Sequence, residues 1–211
     1  KERESSGIDW SLIFNTMNEM KSDLRETFPY KIIETERAEA DDIIATLTQT
    51  YAPFEKILIM SSDKDFKQLQ KYPNVSQYSP IQKKFVKDAN PRTYLFNHIM
   101  RGDSGDGIPN VLSDDDTFIT EKNQTPLRQT RIDAWLENSD NLRESMDDDT
   151  YRNYQRNKNL IDLTDIPETI QETIINNFNG QTKTPNMKVL NYLIKKRCNH
   201  LIEVVEEFYN G

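Results

Sequence analysis

The sequence predicts an α/β fold, a mostly parallel sheet flanked by helices, followed by a helical C-terminal region. Three observations point to it. Strand-like and helix-like patterns alternate up to residue 101. One run, residues 56–61 (Lys-Ile-Leu-Ile-Met-Ser), is almost continuously apolar, as in strands buried in a parallel sheet. Beyond Gly102 no strong strand pattern appears and only helical periodicity remains.

Each element has its own signal. Ile13, Met17, Met20 and Leu24 recur at helical spacing, which predicts an amphipathic helix over 8–27 that Pro29 stops. Residues 30–34 are short, apolar and partly β-branched and read as a strand. Ala40, Ile43, Ile44 and Leu47 form the stripe of a second helix. After the strand at 56–61, a short helix is expected near 65–71, then a hairpin of 75–79 and 83–87 around Pro80. Asn90-Pro91 supplies an N-cap and a proline at the first helical position, so a helix should run over 91–101. Residues 125–136, 167–179, 186–197 and 201–209 carry the later helices. The runs Asp114–Asp116 and Asp147–Asp149 read as solvated turns. A boundary near Asp103 divides residues 1–102, part of an α/β core, from 103–211, a helical region.

Composition narrows the function classes. With 211 residues the chain can bury one sizeable core. No stretch reaches the ~20 apolar residues of a membrane span. Cys198 is the single cysteine, so no internal disulfide forms, which fits a reducing cytoplasm. The net charge of -8 alone suits an ordinary acidic protein. Its distribution does not, because Lys56 to Arg101 holds nine basic residues against three acidic ones, a local net of +6. Lys183 to Arg197 holds five basic residues and no acid. Local charge decides whether a phosphate backbone is attracted.

Three acidic clusters carry the chemistry. Glu39-Ala40-Asp41-Asp42 opens a helix; its acids either complement the helix dipole or hold a cation. Ser61-Ser62-Asp63-Lys64-Asp65-Phe66 follows the apolar strand, at the sheet end where α/β folds bind ligands. Asp63 and Asp65 there can turn toward one cation or cap the next helix. Gly102-Asp103-Ser104-Gly105-Asp106-Gly107 packs three of the six glycines into six residues, either as a close-approach loop or as a polar turn. Together the clusters offer seven carboxylates, too many like charges to gather without cations. All-oxygen ligands suit Mg²⁺ or Mn²⁺. His98 and His200 with Cys198 cannot complete a zinc site, and both histidines read as structural. Neither a Ser-His-Asp arrangement nor a phosphate-cradling Walker loop is present. Carboxylate-held metals flanked by lysines are the arrangement for phosphodiester hydrolysis.

These blocks resemble a known family. Glu39-Ala40-Asp41-Asp42, Ser62-Asp63-Lys64-Asp65-Phe66-Lys67-Gln68-Leu69 and Gly102-Asp103-Ser104-Gly105-Asp106-Gly107-Ile108-Pro109 stand in the order and at the approximate spacing of the conserved blocks of flap endonucleases and 5′→3′ exonucleases. Lys71-Tyr72-Pro73-Asn74-Val75, Ser79-Pro80 and Lys83-Lys84 resemble the ribonuclease H branch carried by T-even bacteriophages. The resemblance implies a PIN-like nuclease core and removal of RNA primers and adjacent DNA from lagging-strand fragments, with flap cutting, in a host bacterial cytoplasm. It implies two Mg²⁺ ions, for which Mn²⁺ can substitute. Glu39, Asp41, Asp42 and Asp63 would surround the first and Asp65, Asp103 and Asp106 the second. Asp42, Asp63 and Asp65 would be catalytic, and Lys64, Lys67, Lys83, Lys84 and Arg101 would contact the nucleic-acid backbone. The expected substrates are branched or nicked DNA and RNA–DNA hybrid, acted on by a monomer.

Two departures shape the expectation. Residues 111–116 hold no glycine where the family places a glycine-rich hairpin that grips duplex and potassium, so no potassium is expected. The family also begins with aspartate-bearing strands and a basic arch. Lys1–Gly7 resembles the trailing end of that arch, so the N-terminal strands are expected to be missing, and either that segment is present elsewhere or the chain alone is inactive and unstable. Two other readings stand beside this one, a PIN-type ribonuclease and a non-catalytic fragment that binds replication factors. Val189, Leu190, Leu193 and Ile194 with Lys188, Lys195, Lys196 and Arg197 form either ordinary packing or a docking face for DNA or a single-strand-binding replication protein.

Overall fold

The computed structural model describes residues 7–182 and 188–209. Lys183, the start of the 186–197 helix and most of the polar opening segment lie outside them. The chain forms two compact units, residues 1–35 with 173–211, and residues 36–172.

The larger unit, 36–172, holds the sheet. Helix α2 (Ala40–Tyr51) begins where the Asp42 carboxylate accepts the Glu39 backbone N–H at 2.8 Å. Strand β1 (Ile57–Met60) pairs parallel with β2 (Val75–Ser79), and β2 pairs antiparallel with β3 (Lys84–Val86). A 3-10 helix, Asp65–Lys71, crosses from β1 to β2. The hairpin and the crossover follow the expected pattern. The apolar run, however, is covered on one face only. Ile59 is buried with Ala45, Ala52, Phe66, Leu69, Val75 and Ile166, whereas Leu58 and Met60 are more than half exposed.

Helix α3 (Pro91–Arg101) starts as expected, with the Asn90 side chain accepting the Thr93 N–H at 3.1 Å. It packs into a second core with α4 (Gln129–Glu137), α5 (Leu142–Ser145) and α6 (Asp148–Ile161), built on Phe96, Met100, Val111, Ile132, Trp135, Leu142 and Met146. Helix α6 corrects the sequence reading. The run Asp147–Asp149 is no solvated turn. Asp147 caps α6 by accepting the Thr150 N–H at 2.8 Å, and Asp148 and Asp149 occupy its first turn, where acids are favoured. The inward face of α6 is polar. Asn153 Nδ2 donates to the Val111 and Ser113 carbonyls, and Asn157 Nδ2 donates to those of Ile99 (2.8 Å) and Pro109 (2.9 Å). These bonds tie the loop after α3 to the helix. Asn157 is fully buried, so Asn157→Leu strands the Ile99 carbonyl away from water and leaves the Pro109 carbonyl to Arg156. We expect a loss of about 2–3 kcal/mol in stability by denaturant unfolding; a loss below about 1 kcal/mol would show that these bonds do not hold the loop.

The smaller unit contains α1 (Trp10–Thr27), most of α7 (Glu168–Gly180), α8 (Val189–Lys195), α9 (Asn199–Ile202) and a 3-10 turn, Val205–Phe208. Its core is Phe28, Val189 and Leu193, with Leu24, Tyr192, Ile202 and Phe208 packed around them. The expected strand at 30–34 is not a strand. The segment is extended, but its partner is a side chain. The Ile32 N–H donates to Gln181 Oε1 (3.0 Å) and the Gln181 amide donates back to the Ile32 carbonyl (2.8 Å). One glutamine thus supplies both bonds that a neighbouring strand would make. Of the basic residues beside the α8 stripe, Lys196 is held by Glu19 (2.8 Å) and Asp23 (3.0 Å), which lends it a packing role.

Candidate metal centre

Three segments of the larger unit deliver the acidic side chains. Asp41 stands in the first turn of α2. Asp63 and Asp65 follow the carboxyl end of β1, where backbone N–H groups and side chains shape a tight loop. The Asp65 N–H donates to Asp63 Oδ1 at 3.0 Å and the Asp63 N–H to Ser61 Oγ at 3.1 Å. Buried Gln77 on β2 holds this loop from below, its amide donating to the carbonyls of Ser61 (3.0 Å) and Asp63 (2.6 Å). Asp103 follows α3, which ends at Gly102 in a positive-φ conformation (φ 68°, ψ −172°). The Ile108 N–H closes the loop onto the Asp103 carbonyl at 2.7 Å.

Two groupings of ligand atoms result. One carboxylate oxygen from each of Asp41, Asp63 and Asp65 lies within 4.8 Å of the others. The same holds for Asp65, His98 and Asp103, so Asp65 belongs to both. Glu39, Asp42 and Asp106 fall outside these groupings. Asp42 is engaged in the α2 cap, and Glu39 and Asp106 are exposed. His98 is the member of these groupings that the sequence reading took as structural. Its side chain is only 8% exposed and lies between Asp65 (Nδ1 to Oδ1, 3.4 Å) and Asp103 (Nε2 to Oδ2, 3.0 Å). The available signal was its place in the last turn of α3, five residues before Asp103.

The charges strain against one another. Burial, then the charges of Asp63 and Asp65, push the Asp41 carboxyl up to about 6. Burial also raises Asp65, a shift that His98 opposes and Asp63 reinforces. Burial would raise Asp103 too, but bonds from Lys64 (2.7 Å), His98 and the Gly105 N–H (2.9 Å) outweigh it and hold the group down at about 2. An ammonium group already sits on one of these carboxylates, the place a cation would take. The donor set fits a hard divalent ion, since carboxylates crowded enough to retain a proton gain most from a cation. The sign follows directly. Asp41 is raised, so below about pH 6 a proton competes with metal for it. Affinity for Mg²⁺ or Mn²⁺ should rise with pH through about 6, by up to about tenfold per unit below that value. Calorimetric titrations at pH 5 and pH 7 that gave equal affinity would remove Asp41 from the site.

The basic residues divide. Lys83, Lys84 and Arg101 are exposed, and the turn before Lys83 is bonded to the aspartate loop through the Ile81 N–H and Ser62 Oγ (3.3 Å). Lys64 is paired with Asp103. Lys67 lies over the Tyr94 ring, 4.7 Å from its centroid, and 3.8 Å from Asp88. Among the described residues no helix is long and apolar enough to cross a membrane.

A sheet whose strand end gathers aspartates from separate segments defines a carboxylate-centred hydrolase of the nuclease kind. Comparison with known proteins narrows that class. A family model for the 5′-3′ exonuclease N-terminal resolvase-like domain matches residues 13–95, and one for the C-terminal part of T4 RNase H matches residues 90–208. The ribonuclease H of Enterobacteria phage T4 is 34% identical over 214 residues, covering 99% of this chain and 70% of that protein. The flap endonuclease Xni of Shewanella oneidensis is 36% identical over 83 residues, 35% of this chain and 31% of that protein. The T5 D15 protein, crystallised with metal ions, shares the fold at TM-score 0.50 and 17% identity, over 79% of this chain and 67% of that one. The chain therefore belongs to the flap endonuclease and 5′→3′ exonuclease family of metal-dependent nucleases.

Proposed function

We propose that this chain carries the carboxylate centre of a 5′ nuclease that removes RNA primers and adjacent DNA from lagging-strand fragments and cuts 5′ flaps, using two divalent ions. The observation that carries the reading is the meeting of Asp41, Asp63 and Asp65 within ligand distance, with Asp65 shared toward Asp103. Asp41, Asp63 and Asp65 would hold one ion, and Asp65 with Asp103 the other. Glu39, Asp42 and Asp106 would reach the ions through water, which Mg²⁺ retains readily. When bound, the ions supply a lowered water pKa and charge neutralisation at the scissile phosphate. The residues themselves do three things. The aspartates fix the ions, the Gln77 and α6 amides hold the loops that carry those aspartates, and the basic residues draw in the phosphate backbone. Residues 1–102 would form the nuclease core and 103–211 the helical DNA-binding region. Substrates would be nicked or branched DNA and RNA–DNA hybrid. A replication protein that binds single strands would be the partner for the C-terminal helices.

The test compares Mg²⁺-dependent cleavage of a 5′-flap duplex, an RNA-primed duplex and single-stranded RNA. Cleavage of the first two supports the reading; cleavage of single-stranded RNA alone points to a PIN-type ribonuclease instead. Binding should also weaken steeply with salt, because exposed lysines release counterions from phosphates. Replacing Lys83 and Lys84 by alanine should lower the slope of log affinity against log salt by about 1–2. An unchanged slope would take these two lysines off the DNA path.

A further inference from the structure

Histidine 98 does not behave as a structural histidine. Its ring is buried, yet Nδ1 has no hydrogen-bond partner, and the oxygen it faces, Asp65 Oδ1, has none either. The other nitrogen is well placed, with Nε2 3.0 Å from Asp103 Oδ2. Asp103 already accepts from Lys64 on the same oxygen and from the Gly105 N–H on the other, so it acts as an ionised acceptor and Nε2 as the donor. In the neutral ring that leaves a bare lone pair on Nδ1, with a carboxylate oxygen 3.4 Å away. Two acceptors side by side out of water are unfavourable unless something positive, a proton or a metal ion, lies between them. A separation of 3.4 Å leaves the two atoms within reach of one shared cation.

We propose that His98 Nδ1 is a nitrogen ligand to the cation held by Asp65, with Asp103 acting behind it as the acceptor for the opposite ring N–H. This rests on the two-ion reading above and adds to it an unlike donor among carboxylates. A histidine that ligates a metal commonly gives its other N–H to a carboxylate, which fixes the tautomer and the ring plane. Asp103 would then serve the centre through the imidazole as well as by its own charge. An imidazole also changes selectivity, since nitrogen favours Mn²⁺ or Co²⁺ over Mg²⁺ more than an all-oxygen set does.

The experiment is pulsed EPR on the unmutated protein with Mn²⁺, paired with titrations of Mn²⁺ and Mg²⁺ into the unmutated protein and His98→Gln. Bound Mn²⁺ should show ¹⁴N coupling from a directly ligated imidazole, and the coupling should vanish in His98→Gln. The substitution should weaken Mn²⁺ binding by about tenfold or more and Mg²⁺ binding less. Mn²⁺ that binds without ¹⁴N coupling overturns the inference and leaves the carboxylate centre standing. Coupling that survives in His98→Gln also overturns it, because the nitrogen then comes from elsewhere. If Mn²⁺ does not bind at all, the metal reading fails and this inference with it. Because the decisive signal is read on the unmutated protein, a poorly folding His98→Gln does not shield the proposal.

Discussion

In the complete enzyme, Asp63→Asn and Asp65→Asn should each lower 5′-flap cleavage on the order of 10³-fold, equivalent to about 4 kcal/mol, while leaving duplex binding nearly intact. Both side chains stand in the Asp41 grouping, and Asp65 also stands in the second, so either change removes a formal charge from a cation site. The substitution keeps the size of the side chain. Asparagine 63 can still accept the Asp65 N–H that Asp63 Oδ1 accepts now, so the loop keeps its shape. Stability supplies an independent sign. Burial and then the charges of Asp63 and Asp65 hold the Asp41 carboxyl up at about 6. Deleting either charge relieves that repulsion, so the metal-free variants should unfold at the same temperature as the parent or higher. Cleavage lost together with stability would mean that the residues hold the fold. Full cleavage by either variant in Mg²⁺ would sink the site assignment.

Much of the frame was legible because its signals are local. Asn90-Pro91 marked the start of α3, and the run at 56–61 marked β1, since capping and apolar runs act within a few residues. The acidic blocks stood out only together, because acids at one helix start or after one strand can simply cap a helix, whereas seven carboxylates on one frame need cations. What escaped notice depends on partners distant in sequence. Helix α6 buries Thr150, Asn153, Asn157 and Ile161, so its inward stripe is mostly polar and gives no apolar period to detect. Those amides are apolar-equivalent only because carbonyls of Ile99, Pro109, Val111 and Ser113 wait for them. The segment 30–34 has strand-like composition, but Gln181, far along the chain, replaces the strand it would have paired with. His98 was set aside for the same reason. Nothing in a single sequence says that the last turn of α3 carries it between Asp65 and Asp103.

The same loop gives the second large effect. Gly102→Ala should cost about 3 kcal/mol or more in folding free energy, an unusually large loss for adding one methyl group. Gly102 has φ 68° and ψ −172°, a region that residues with a Cβ essentially do not occupy. Space is lacking as well. An added Cβ would lie 2.3 Å from the Ile108 carbonyl oxygen and 2.5 Å from that of Pro109. Both are backbone atoms, and the Pro109 carbonyl is pinned by Asn157 and by Arg156 (3.0 Å), so the clash cannot be relieved by turning a side chain. Relief requires the loop to move away from α3, which carries Asp103 away from Lys64 and His98. Divalent-ion affinity should therefore fall with stability. Gly107→Ala is the comparison. Gly107 also has positive φ, 75°, but an added Cβ there meets nothing within 4 Å. It should lose only about 1–2 kcal/mol, the cost of the left-handed backbone alone. Denaturant unfolding of the two variants separates conformational strain from backbone collision. Equal losses at both glycines would mean that the close approach of residues 102 and 108–109 does not set the position of Asp103.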